Sequence, residues 1–317
     1  MSASFCTEES HQRRTGALDL TEARPLPENL GLAFMGDTKG GPFDIPGDLA
    51  RRMLADTGNP NGRPNSDVVR PWANGLDLTR RPRDMWIVDF GAGMSLEDSA
   101  LYEVPFEYVN GHVRPMREKN KRKAYRERWW LHMEPRPAMH RALAGLPRFL
   151  GTPTVAKHRL FAWLDGTTVP DHQIIVFAME DDYAFGVLHS RAHELWALRM
   201  GTFLGVGNDP RYTPTTCFET FPFPKPTDEQ RAGIAEAAYR LDELRRNWLN
   251  PEGASEAKLK KRTLTNLYNQ RPTWLANAHA RLDAAVFAVY GWPEDVADED
   301  ILKNLLALNL ERSASQG

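Results

Sequence analysis

The chain has 317 residues, 40 of them basic and 42 acidic, so its formal net charge is -2 and any nucleic-acid surface must be a local patch. With 41% apolar residues it can bury a real core, as one large domain or two ordinary ones. Two distant cysteines, Cys6 and Cys217, exclude a disulfide framework or a Cys-based metal site and point to a reducing, cytoplasmic setting. No apolar run reaches the length of a membrane span, and the polar residues 1–14 are not a secretory leader.

Residues 1–27 are polar and read as the tail of a preceding domain or as disordered. From Gly31 short apolar runs alternate with turn chemistry, at Gly40-Gly41-Pro42, Asn59-Pro60-Asn61-Gly62 and Asn74-Gly75. Residues 86–90 read as a buried strand, and residues 98–127 as helical with a very basic second half. Thr154-Val155, residues 160–163 and residues 174–178 read as three further strands, the last two separated by turns at Asp165-Gly166 and Pro170-Asp171. Residues 189–200 fit a helix. The prolines of Phe221-Pro222-Phe223-Pro224-Lys225-Pro226 can continue neither a helix nor a central strand, which places a domain boundary there. Beyond it four helices are expected. The first starts at the cap Thr227-Asp228 and carries Ile234, Ala238, Leu241, Leu244 and Trp248. The others cover residues 255–268, 272–290 and 298–311.

Residues 114–128 hold eight basic and two acidic side chains, a net of +6 inside a chain of net -2. Such clustering is either a solvated helix face or an electrostatic footprint for phosphate. Lys157, His158 and Arg159, with Thr152 and Thr154 nearby, make a second small basic site of the mix that contacts phosphates. His189 and His193 stand four apart, as two zinc ligands on one helix face would. However, Ser190 follows the first His and Ala192 stands where a reversed motif needs Glu, so packing is the better reading. Asp89-Phe90-Gly91-Ala92-Gly93 resembles a loop that cradles S-adenosylmethionine, but Met94-Ser95 replaces the third glycine. The chain has no Asn-Pro-Pro-aromatic or Asp-Pro-Pro-aromatic motif to hold a flipped base. Residues 205–216 form a loop rich in base-reading chemistry, or a structural turn. Asn208 can pair bidentately with adenine, Asp209 can accept from cytosine, and Arg211 can reach guanine or phosphate.

Residues 211–224, from Arg211-Tyr212-Thr213-Pro214-Thr215-Thr216 to Phe221-Pro222-Phe223-Pro224, resemble the end of the recognition region in MmeI-like enzymes, the type IIL restriction-modification proteins. Further stretches agree in the same order. They include Asn61-Gly62-Arg63-Pro64-Asn65-Ser66-Asp67-Val68, residues 80–90, Tyr102-Glu103-Val104-Pro105, Arg126-Glu127-Arg128-Trp129-Trp130 and Lys157-His158-Arg159. Residues 185–191, Leu264-Thr265-Asn266-Leu267-Tyr268-Asn269 and Trp274-Leu275 continue the series.

The resemblance implies an α+β, mixed-sheet target-recognition domain over residues 28–224 and a small all-α domain over residues 227–317. It implies sequence-specific reading of double-stranded DNA for an adenine methyltransferase, with the specificity-setting positions near Gly207, Asn208 and Asp209, beside Arg211. Phosphates are expected at Lys121, Arg122, Lys123, Arg126, Lys157, Arg159, Arg191 and Thr215. No cofactor is expected on this chain. S-adenosylmethionine belongs to the missing catalytic domain, which a separate methyltransferase chain could supply. The rival readings are a self-sufficient methyltransferase using the loop from Asp89 to Gly93, and a pure interaction module.

Overall fold

The computed structural model describes residues 19–204 and 209–315. Two four-stranded sheets form its first part. The strands β1 (Ala33–Met35), β2 (Asp44–Pro46), β3 (Val69–Ala73) and β4 (Met85–Val88) alternate with the helices α1 (Gly47–Ala55) and α2 (Gly75–Thr79). Four short helices follow: α3 (Leu96–Ala100), α4 (Glu103–His112), α5 (Arg114–Arg117) and α6 (Lys123–Glu127). After α7 (Pro137–Leu143) come β5 (Arg148–Pro153), β6 (Ala162–Asp165), β7 (Val169–Pro170) and β8 (Ile174–Phe177). One sheet runs β1-β8-β5-β6, antiparallel throughout, and the other runs β2-β4-β3-β7, with a parallel pair between β3 and β7. The fold is therefore α+β with a mixed sheet, as expected.

Local chemistry explains most boundaries. The strand expected at residues 86–90 is β4, paired on both sides and ending at Val88. All four residues of β8 are buried, so its unbroken apolar run reads correctly as a central strand. The long basic helix expected over residues 98–127 is instead broken into α3 to α6. Arg126 Nη1 donates to the carbonyls of Asn120 and Lys121, at 2.7 and 3.0 Å, so a side chain takes acceptors that a continuous helix would use itself.

The helix expected over residues 189–200 divides as well. The helix α8 (Asp182–His189) ends where Ser190 adopts an extended backbone, and the Ser190 hydroxyl caps α9 (Arg191–Met200). The hairpin β9 (Thr202–Leu204) and β10 (Asp209–Arg211) follows, then a short π-helical turn, Pro214–Phe218.

From Thr227 the regular elements among the described residues are helices: α10 (Asp228–Leu249), α11 (Glu256–Lys261), α12 (Leu264–Gln270), α13 (Thr273–Tyr290) and α14 (Asp298–Ser315). Thr227 and Gln230 cap α10 reciprocally. The single helix expected over residues 255–268 becomes two, because the Thr263 hydroxyl starts α12 anew.

The proline-rich segment marks the change from mixed to helical structure, yet one hydrophobic core crosses it. Phe161, Phe177, Phe185, Leu188 and Trp196 share that core with Ile234, Leu241, Leu282 and Leu305. A Cβ on Gly186 would lie 2.9 Å from atoms of both Ala238 and Ile234, so glycine lets α8 pack directly on α10. The segment itself is held by Tyr183 Oη on Pro224 O, Tyr290 Oη on Pro222 O and Arg312 Nη1 on Phe223 O. Nor are residues 19–27 a loose tail. Leu20 and Leu26 are buried, and Leu26 N donates to Glu219 O.

Candidate nucleic-acid interface

The hairpin β9–β10 is an extension of the first sheet. Beyond β5, Thr154 N donates to Gln173 O at 2.7 Å, Val155 bridges Arg211, and Tyr212 N donates to Thr154 O at 2.8 Å. The surface therefore continues from Gln173 through Val155 to β10 and then β9. A groove of about 630 Å³ lies against it, lined among others by Lys157, His172, Gln173, Asp209, Arg211 and Thr265. Met35, Leu76, Arg80 and Thr154 also line it. Asp209 is exposed and Arg211 half-buried, and both line the groove.

The underside of the hairpin is rigidly held. Arg159, only 6% exposed, donates to Pro210 O at 3.0 Å, to Pro153 O at 2.7 Å and to the Thr152 hydroxyl at 3.1 Å. Its guanidinium carbon lies 5.1 Å from the Tyr212 ring centroid, and burial pulls it below the usual arginine range. Tyr212 is buried too, with its hydroxyl 3.0 Å from His193 Nε2. His193 Nδ1 lies 3.0 Å from Leu188 O, which only accepts. Nδ1 therefore carries the proton, and Nε2 accepts from the Tyr212 hydroxyl. Burial pushes His193 down to about 3, so this tautomer persists at neutral pH.

The structure separates the expected phosphate contacts into distinct groups. Lys157 lines the groove, and its Nζ donates to Asn269 Oδ1 at 2.7 Å. Thr215 is exposed on a neighbouring depression of about 460 Å³, which shares Met35 with the groove and holds Arg136 and Arg141. Lys121, Arg122, Lys123 and Arg126 are exposed, but on and beside α6, packed on the half of the molecule that contains Trp129 and the second sheet. Arg159 does not reach a phosphate, because its guanidinium faces inward onto carbonyls. Arg191 Nε donates to Asp298 Oδ1 at 2.8 Å, tying α9 to α14. Gly207 and Asn208 lie outside the described residues.

His189 and His193 are not on one helix face, since the break at Ser190 falls between them. His189 Nε2 accepts from Phe161 N at 3.1 Å and from Arg245 Nη1 at 2.8 Å, so no lone pair is left for a metal. The loop after β4 departs from a cofactor cradle. β4 lies between antiparallel partners, and the Asp89 side chain accepts from Gly91 N at 2.8 Å in a tight turn, with Gly91 at φ +71°. Asp89 instead faces His132 and Asp37, a buried group with metal-ligating chemistry.

Sequence reasoning missed His172, Gln173, Asn269, Arg136 and Arg141. The first two follow the Pro170-Asp171 turn, where composition signals only a loop. Asn269 closes one of the stretches that carry the family resemblance, a signal that was available.

Comparison with known proteins agrees with this geometry. Residues 109–225 match the family described as MmeI, target recognition domain. DNA methyltransferase A of Bacillus subtilis (strain 168) is 31% identical over 146 residues, which are 45% of this chain and 15% of that protein. The structure of the Type IIL restriction-modification enzyme MmeI in complex with DNA covers 92% of this chain at TM-score 0.71 and 17% identity. That match takes up 36% of the MmeI chain, so this chain spans well under half the length of the relatives it matches. The described residues share the fold of that enzyme's corresponding part, and residues 109–225 are similar to the MmeI target recognition domain.

Proposed function

We propose that this chain is the sequence-reading part of a site-specific adenine DNA methyltransferase of a restriction-modification system, acting on double-stranded DNA in the cytoplasm. The observation that carries the reading is the groove beside β10. There Asp209 and Arg211 project from a strand whose backbone is fixed from below by Arg159, Val155 and Tyr212. Base readout needs donors and acceptors held in register, because a good bidentate pair discriminates by about 1–3 kcal/mol only if its geometry is set in advance. Arg211 suits guanine, Asp209 suits the cytosine amino group, and the Gln173 amide across the groove suits adenine. Gly207 and Asn208, next to Asp209 in the sequence, belong to the same proposed readout set. Lys157, Thr215 and the exposed cations around α6 supply the phosphate contacts that give affinity without sequence.

Methyl transfer belongs to a catalytic domain that binds S-adenosylmethionine, on a longer form of the protein or on a separate chain. The antiparallel setting and inward-turned carboxylate of Asp89 argue against the loop after β4 as that site. Titrating the chain with duplex DNA at low and moderate salt tests the reading, and the affinity should fall steeply as salt rises. A salt-independent affinity would remove the phosphate surface. Micromolar binding of S-adenosylmethionine to the chain alone would favour a self-sufficient enzyme.

A further inference from the structure

The carboxylates and imidazole that meet beneath the two sheets belong neither to the groove nor to the hairpin supports. Asp37 follows β1, Asp89 follows β4, and His132 lies between α6 and α7, so three distant segments converge there. All three residues are buried, and one ligand atom from each lies within 4.8 Å of the others. His132 Nε2 is 3.1 Å from Val88 O, which only accepts, so Nε2 carries a proton and Nδ1 is the nitrogen turned toward the carboxylates. Nδ1 lies 3.3 Å from Asp37 Oδ2 and 3.7 Å from Asp89 Oδ1.

Charge-assisted N–H to carboxylate bonds run to about 2.7–2.9 Å. Two ligand atoms at about 2.0–2.2 Å from one tetrahedral ion stand about 3.3–3.6 Å apart. The 3.3 Å separation matches the second pattern, and the 3.7 Å separation lies just beyond it. His140 Nε2, at 3.0 Å from Asp37 Oδ2, sits where an outer partner orients a ligating carboxylate, and the Val88 carbonyl orients His132 in the same way. A small cavity of about 70 Å³ lies beside His132, lined also by Ala92, Tyr125 and Met133.

We infer that Asp37, Asp89 and His132 form a structural site for a divalent transition ion that staples the end of β1 to the end of β4. Two carboxylates and one imidazole suit a borderline, tetrahedral ion such as Zn²⁺, with water as a fourth ligand. The ion adds a direct partner for two buried carboxylates that otherwise rest on His132, His140 and the Gly91 N–H.

The test uses the full chain, stripped with a chelator and then loaded separately with Zn²⁺, Mn²⁺ and Co²⁺. One equivalent of Zn²⁺ should survive gel filtration, the thermal midpoint should rise with Zn²⁺ concentration, and bound Co²⁺ should give visible d–d absorption. Asp89→Asn and His132→Gln should each weaken Zn²⁺ binding at least tenfold. Less than a tenth of an equivalent on the folded wild-type chain, with no rise in its midpoint, overturns the site. So does full retention by a folded Asp89→Asn or His132→Gln chain.

Discussion

Two cationic regions of this molecule are built in opposite ways. Around α6, Lys121, Arg122, Lys123 and Arg126 stand in solvent, with Lys123 beside Glu127 at 3.5 Å and Arg126 on the Asn120 and Lys121 carbonyls. Beneath the hairpin, Arg159 is withdrawn from solvent and directs its donors onto Pro153 O, Pro210 O and Thr152. In the sequence both are basic clusters. The difference is that one region supplies attraction and the other supplies position. Affinity for a polyanion tolerates loose geometry, whereas reading a base edge does not.

The largest effect should come from breaking the positional region. Arg159→Met leaves carbonyls without their donor beneath β10 and should cost on the order of 2–4 kcal/mol of stability. Denaturant unfolding measures the loss, and Arg159→Lys should not restore it, because an ammonium cannot reproduce the guanidinium fork. If Arg159→Met unfolds like wild type, the hairpin is held by something else.

Next in size is the reading edge itself. Arg211→Lys or Asp209→Asn should change preference at one base position by about 1–3 kcal/mol while leaving affinity for random duplex nearly unchanged. Competition binding with single-position variant duplexes separates the two quantities. An equal loss on every duplex would move these residues into the phosphate group.

Tyr212→Phe is smaller. It removes the donor to His193 Nε2 and should cost about 1–2 kcal/mol. The same pair gives a pH signature. Burial holds His193 at about 3, below the ordinary imidazole value of about 6.5. With its folded pKa depressed, the unfolded chain takes up the proton first. The stability contribution is thus present above about pH 6.5 and lost as pH falls toward 3. Thermal midpoints of His193→Asn should fall less steeply over that range than those of wild type. Half-buried His279, also lowered to about 3, and buried His189, lowered well below the ordinary value, should leave both chains with some acid sensitivity.

Single substitutions around α6 should matter least. Lys123→Gln should weaken binding to all duplexes alike and lower the slope of log affinity against log salt by about 0.9 if it removes one phosphate contact. An unchanged slope would place Lys123 away from DNA.

Much of this organisation was legible from residues alone. The apolar run of β8, the Thr227 cap of α10 and the extent of α13 each carry a local signal strong enough to survive tertiary context. The chemistry of Asp209 and Arg211 was readable as well. Other features had no local signature. β9 and β10 are three residues each, too short for alternation to register, and their place is set by a bridge from Val155. The inward turn of Arg159 depends on Pro210 O, supplied from far along the chain. The proline segment reads as a domain boundary in sequence, and in the structure Phe221 is buried and Tyr183 and Tyr290 bond its neighbours.

The most direct measurement is enrichment of a randomised duplex pool by the full chain, repeated with Asp209→Asn. The account predicts that wild type enriches one short site and that the variant changes preference at a single position of that site. Enrichment of no site by the folded wild-type chain, or an identical site with the variant, would contradict the assignment of sequence reading to the hairpin edge.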